Sequence, residues 1–127
     1  MSADAKVLID QGVKNLQDEV HSLQQLKLVI QLDLIGGRDT QTFRVEVPGP
    51  KITKDVPADA KVRMSVPRAM FNVLAVDGRV ADWREAFENG HAKADGAPQI
   101  LKLIEKVVER HEDRERLRRA SRPSAGR

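Results

Sequence analysis

Residues 86–104 constrain the fold of this chain more than any other segment, because two glycines bracket a very short stretch between two apolar patterns. The segment reads AFENGHAKADGAPQILKLI, with Gly90 and Gly96 on either side of HAKAD. Apolar residues then recur at helical spacing at Ile100, Leu101, Ile104, Val107 and Val108. Glycine commonly ends a helix or permits a turn, so we predict a helix, a short strand at His91–Asp95 and a second helix.

The apolar spacing in the first half of the chain predicts one helix and then four strands. A stripe at intervals of three and four predicts a helix over residues 4–25, formed by Ile9, Val13, Leu16, Val20 and Leu23. The same spacing could also begin a coiled coil, but it covers only two heptads and a coiled-coil prediction needs three or four. An ordinary core-facing helix is therefore favoured. Alternation of apolar and polar residues then predicts strands at 27–35, 42–47, 51–56 and 61–66. Gly36 and Gly37 predict a hairpin turn, and four successive strands favour an antiparallel meander.

Two further helices are predicted before the glycine-bracketed strand. Ser65 and Pro67 are typical of a helix start, and Gly78 is typical of its end. Asp82 is predicted to cap the next helix, which ends at Gly90. The order α-β-β-β-β-α-α-β-α indicates an α+β fold, with a five-stranded, mostly antiparallel sheet covered by helices.

The charge of the chain is concentrated at its C-terminal end. The last helix begins near Pro98 and loses its apolar stripe after Val108, so we predict a domain at 1–108 and a charged helical extension with a disordered basic tail at 109–127. This extension and tail hold seven arginines and four acidic residues, which accounts for the whole net charge of +3. The body is therefore neutral, which argues against a nucleic-acid-binding domain.

The basic end of the chain has two open interpretations. Its arginines suit either a solvated helix end or docking to an anionic membrane surface. They lack neighbouring aromatic residues, which again argues against nucleic acid. The arginines predicted for membrane contact are Arg114, Arg116, Arg118, Arg119 and Arg122.

Reactive residues give no sign of catalysis or of a cofactor. The absence of cysteine excludes disulfides, thiolate nucleophiles and thiolate metal ligands. His21, His91 and His111 lie on three separate predicted elements, so we interpret them as surface residues and predict no metal site. Asp33 lies on the polar side of a leucine-rich strand, where a solvent-facing carboxylate is favoured over a general base.

The start of the sequence lacks the basic residues and apolar block of a secretory signal, so we expect a cytoplasmic protein.

A set of large apolar residues is predicted to converge on one face of the sheet. Its members are Phe43, Met70, Phe71, Leu74, Trp83, Phe87, Leu101 and Ile104. From the residues alone a filled core is the favoured interpretation for most of them, and a ligand cavity is the alternative. Periodicity therefore leaves both interpretations open.

The glycine-bracketed segment resembles the sterol carrier protein type 2 family of lipid-binding domains. Members commonly read AFMxGKLKIxG, which this chain matches at Ala86, Phe87, Gly90, Lys93 and Gly96. The resemblance extends from the first predicted helix to about residue 108. It implies an α+β domain that holds a lipid in an apolar tunnel between its sheet and its helices.

The chain departs from this pattern at four positions. Glu88 and His91 replace the usual methionine and lysine, while Ala92 and Ala94 occupy the usual leucine and isoleucine positions. Residues two apart share one face of a strand, so these alanines would widen the tunnel or leave it shallow.

The resemblance implies non-catalytic binding or transfer of a lipid or sterol-like ligand, without a cofactor. The ligand would contact the eight apolar residues named above together with Ala92 and Ala94. The alternative is a closed-core scaffold module, in which the first or last helix binds a protein partner. A pocket distinguishes the two.

Overall fold

The computed structural model describes residues 4–121, which form four α-helices and five strands. The helices are α1 (Asp4–Glu19), α2 (Arg68–Asp77), α3 (Val80–Glu88) and α4 (Pro98–Ser121). The strands are β1 (Leu28–Ile35), β2 (Thr40–Val47), β3 (Lys51–Thr53), β4 (Val62–Pro67) and β5 (Lys93–Gly96). A short 3-10 helix, His21–Gln25, follows α1. No helix within residues 4–121 combines the length and apolarity needed to cross a bilayer.

The strands form one mixed sheet in the order β3-β2-β1-β4-β5. Three neighbouring pairs are antiparallel, and β1 and β4 are parallel. The predicted α+β fold with a mostly antiparallel sheet is confirmed. The predicted meander is wrong, because the chain crosses from edge strand β3 to the far side of β1. Alternation predicts that a segment forms a strand, but it does not specify which strand pairs with it.

Strand β1 lies at the centre of the sheet and provides much of the core. Its Leu28, Leu32 and Leu34 are buried, as the alternating pattern predicts. In the register, Leu32 lies opposite Phe43 of β2 and Met64 of β4. Helices pack over this face, and burial of each large apolar side chain contributes about 1.5–3 kcal/mol.

Two predicted helix starts are corrected by the structure. Ser65 belongs to β4, and Pro67 takes the cap position of α2 without a side-chain hydrogen bond. The cap of α3 is Arg79, while Asp82 lies in the first turn and accepts a hydrogen bond from the Arg79 backbone N–H at 2.9 Å. Serine and aspartate favour caps, but pairing with neighbouring strands kept Ser65 extended.

Other element boundaries also differ from the predictions. Helix α1 ends at Glu19, and the rest of the predicted first helix is mostly 3-10 helix. The third strand stops at Thr53, since it pairs only with β2 at the sheet edge. The fifth strand begins at Lys93 and reaches Gly96, two residues later than predicted at its start. The predicted hairpin at Gly36 is confirmed by its backbone N–H, which donates to Asp39 O at 2.7 Å.

The two glycines around β5 both have positive φ angles. Gly90 has a φ of 81° and Gly96 a φ of 142°, which L side chains rarely adopt. A Cβ at Gly96 would also lie 2.3 Å from the Lys61 carbonyl oxygen and 2.9 Å from Val62 Cα. Gly96 therefore permits β5 to approach β4.

We predict that Gly96→Ala destabilises the fold by about 1–3 kcal/mol, because it adds both backbone strain and a clash with backbone atoms. Urea unfolding followed by circular dichroism measures the change. Gly37→Ala is the matched control, since its φ is not positive and its Cβ would meet nothing within 4 Å. Equal midpoints for the two variants would contradict this account of Gly96.

Candidate ligand cavity

A cavity of about 850 Å³ lies between the sheet and the helices. Its volume falls within the ~300–1,000 Å³ range that is usual for small-molecule sites. The sheet side is formed by apolar residues of β1, β2 and β4: Leu28, Ile30, Leu32, Val45, Val47 and Met64. The helix side includes Ile9, Val13, Leu16, Phe71, Trp83, Phe87, Leu101, Ile104 and Val108.

The placement of α4 helps to explain why this space is not filled. The helix packs against β5 and the 3-10 helix, at the sheet edge rather than over its centre. Leu101, Ile104 and Val108 recur at helical spacing, so they form one apolar face towards the cavity. The short side chain of Ala92, which is 1% exposed, completes the wall near β5.

Seven of the ten predicted ligand-contact residues line the cavity. These are Phe71, Trp83, Phe87, Ala92, Ala94, Leu101 and Ile104. Phe43, Met70 and Leu74 belong to or pack against the hydrophobic core and lie outside the cavity wall. Helix α2 packs mainly on α1, where Gly12 lies against Ala75, and Met70 and Leu74 contribute to core packing instead of the cavity wall.

Sequence reasoning missed the contribution of α1 and β1 to this cavity. Ile9, Val13 and Leu16 were recognised only as a core-facing stripe, although all three line the cavity. Leu28 and Leu32 of β1 do the same. The spacing of these residues predicted that they are buried. It could not show whether a buried residue packs against another side chain or lines an open cavity.

Two aromatic residues meet edge to face at the cavity wall. The rings of Phe71 and Trp83 are 5.8 Å apart at an interplanar angle of 73°. The Trp83 Nε1 atom is buried and has no hydrogen-bond partner among residues 4–121. An unsatisfied donor of this kind costs about 1–3 kcal/mol. Trp83 is also the only tryptophan in the sequence, so its fluorescence reports on the cavity alone.

Charged residues line the cavity where α3, β5 and α4 come together. They are Arg84, Glu88, Lys93, Asp95, Glu105 and Glu109. All except Arg84 are exposed, so this charged rim marks the side on which the cavity opens to solvent.

Arg84 joins α3 to α4 at the edge of the cavity. Its Nη1 donates to Glu112 Oε1, and its Nε donates to Glu88 Oε2 at 3.2 Å. The negative charge of Glu112, supported by Glu88, raises the pKa of Arg84 above its usual value. Arg84 is therefore a cation that two carboxylates already neutralise.

A second polar contact joins α4 to α1 and α3. The Glu19 carboxylate accepts a hydrogen bond from the Val80 backbone N–H at 2.9 Å and lies 3.5 Å from Arg79 Nε. His111 Nε2 lies 3.6 Å from the same carboxylate, and its side chain is only 16% exposed. The prediction of a solvated His111 is therefore wrong, because α4 continues past Val108 and packs this residue beside Glu19.

We predict that Glu112→Gln loosens α4, since it removes the charge that pairs with Arg84. Amide hydrogen exchange in α4 should become about twofold to fivefold faster, equivalent to about 0.5–1 kcal/mol for a partly exposed pair. Asp113→Asn is the control, because the ion pair that Asp113 forms among residues 4–121 is with Arg116 of the same helix. Equal exchange in both variants would show that the contact with Arg84 does not hold α4.

The histidines and Asp33, which the sequence offered as candidate polar site residues, form no metal-binding group among residues 4–121. Within the described chain, no three histidines or acidic residues are grouped to hold a metal ion. His21 and His91 are exposed, as predicted. Asp33 accepts hydrogen bonds from Thr42 Oγ1 at 2.8 Å and Gln31 Nε2 at 3.3 Å, which fixes it among polar neighbours on the sheet.

The arginines at the end of α4 are partly offset by acids of the same helix. Arg116 pairs with Asp113 at 3.0 Å, and Arg118 pairs with Glu115 at 3.1 Å. Arg122 and the rest of the predicted disordered tail lie outside the described residues. Contact of this segment with an anionic membrane stays a prediction.

The element order, the mixed sheet and the cavity define a fold of the sterol carrier protein type. No family model matches the chain, and no curated protein matches it. Among solved structures, it is similar to Sterol Carrier Protein 2 Like 2 from Aedes aegypti, with a TM-score of 0.55 and 16% identity over 83% of this chain and 97% of that one.

Two other similar structures contain this fold, one as nearly the whole of a small protein and one as part of a much longer chain. Sterol Carrier Protein 2 from Aedes aegypti, solved in complex with palmitate, has a TM-score of 0.53 and 13% identity over 80% of this chain and 94% of that one. A variant of a sec-alkyl sulfatase has a TM-score of 0.51 and 15% identity, covering 80% of this chain but 16% of that one. The resemblance to the sterol carrier protein fold is therefore confirmed, and it concerns the fold.

Proposed function

We propose that this protein binds and transfers a lipid or sterol-like molecule in the cavity, as a tunnel between sheet and helices, without catalysing a reaction on it. The observation that carries the proposal is a cavity of about 850 Å³ whose inner wall is mostly apolar, with Gln17 as a buried polar side chain in it. The ionisable lining residues lie at the rim, so the chain of a ligand would contact apolar side chains while its polar end stayed near water.

The energetics of burial suit such a ligand. Each methylene transferred from water contributes about 0.8 kcal/mol, so a dozen carbons contribute roughly 10 kcal/mol before the costs of association. The free energy gained by burying the hydrocarbon chain does not depend on specific polar contacts. A cavity wall with few polar groups is therefore sufficient to bind such a ligand. The palmitate complex of a protein with the same fold supports a fatty-acyl or sterol-like ligand here.

The alternative of a closed-core scaffold module is less well supported. It requires side chains to fill the space that the structure leaves between the sheet and α4. An exposed Leu103 and Leu117 on α4 suit a protein contact, but neither lines the cavity. We therefore favour the carrier over the scaffold.

We predict that Leu101→Glu weakens lipid uptake by at least about tenfold, because it places a carboxylate in the apolar wall. Leu103→Glu is the matched control, since Leu103 belongs to the same helix but is 43% exposed and lies outside the cavity wall. Displacement of an uncharged fluorescent fatty alcohol, read together with Trp83 emission, measures uptake.

Thermal unfolding of both variants establishes that any loss of uptake arises in folded protein. Native mass spectrometry of the purified wild-type chain identifies what it carries. Equal uptake by the two variants, or no uptake of any lipid by the wild type, would contradict the carrier function.

A further inference from the structure

The rim of the cavity carries an excess of negative charge. We define the acidic rim as the four exposed carboxylates that line the cavity: Glu88, Asp95, Glu105 and Glu109. The lining cations are Arg84 and Lys93, so the lining residues have a net charge of −2. Outside the lining, Glu112 contacts Arg84 from α4, and the exposed Arg63 lies opposite Asp95 in the β4–β5 register, so these two neighbours offset each other in charge.

The two lining cations do not balance the acidic rim. Arg84 is already engaged by Glu88 and Glu112. Lys93 is exposed and forms no ion pair with another residue in the described part of the chain. An anionic head group at the rim would therefore have to compete for Arg84 or rely on Lys93.

Two members of the rim lie on the same side of α4. Glu105 and Glu109 are four residues apart, a spacing that brings like charges together on a helix and is mildly destabilising. Neither forms an ion pair within residues 4–121, and both line the cavity beside Ile104 and Val108. Lys102 and Lys106 on the same helix are exposed and lie outside the cavity wall, so they weaken the negative field without facing the opening.

We propose that the acidic rim selects ligands whose head group carries no negative charge. This inference rests on the proposed carrier function and narrows its ligand class to uncharged or positively charged amphiphiles. With the hydrocarbon chain in the cavity, the head group lies at the rim. At about 10 Å in water, each rim charge changes the affinity of a charged head group by about twofold, and salt screens the effect.

The test compares three ligands of equal chain length, dodecanoate, dodecanol and dodecylammonium, on the full chain at low salt. Their binding is followed by Trp83 emission below the concentration at which each ligand aggregates. In the double variant Glu105→Gln with Glu109→Gln, dodecanoate should bind about fourfold more tightly and dodecylammonium about fourfold more weakly. Dodecanol should be unchanged, and added salt should reduce both shifts.

The matched control is the double variant Asp113→Asn with Glu115→Gln, which removes two acids of α4 that lie outside the cavity wall. It should shift each affinity by less than about twofold. Unchanged dodecanoate binding in the rim variant, or equal shifts in the control, would overturn the selection by charge. Binding of none of the three ligands to the wild type would instead overturn the carrier function on which this inference rests.

Discussion

The apolar face of strand β1 is the feature on which the rest of the structure depends. This strand pairs with β2 on one side and with β4 on the other, so its backbone is fixed at the sheet centre. Leu28, Ile30 and Leu32 then form one wall of the cavity. Helix α2 contacts β1 and β4, while α1 and α4 contact the two edge strands β3 and β5. The space that remains between the wall and α4 is the candidate site.

The position of α4 follows from a few local constraints. Gly90 and Gly96 permit the turns on either side of β5, and the edge position of β5 directs the chain into α4 beside the sheet. The Arg84–Glu112 and Glu19–His111 contacts then join the charged half of α4 to α3 and α1. The helix thus covers the cavity from one side while its acidic residues border the opening.

The sequence predicted local elements better than their arrangement. Alternation in residues 27–35 predicted a strand, and the two glycines predicted the short strand β5, because both signals arise within short segments. The parallel pairing of β1 with β4 depends on a long-range contact, which alternation does not encode. His111 was misread for the same reason, since its partner Glu19 is distant in sequence.

The cavity itself was not predictable from residue spacing. Phe71, Trp83 and Leu101 were identified as inward-facing, but a filled core and a cavity require the same apolar positions. Only the family resemblance favoured a cavity, and the packing of α4 at the sheet edge supplied its physical cause. Met70 and Leu74 were assigned to the site because spacing does not show which of the buried positions border a cavity and which fill the core.

The most direct measurement of the central claim is isotope-filtered NMR of the labelled protein with an unlabelled twelve-carbon lipid. If the lipid chain occupies the cavity, its methylene protons should show nuclear Overhauser contacts to the methyl groups of Leu32, Leu101 and Ile104. Contacts confined to exposed methyl groups, such as those of Val73, Leu103 and Leu117, would place the lipid on the surface and contradict the account.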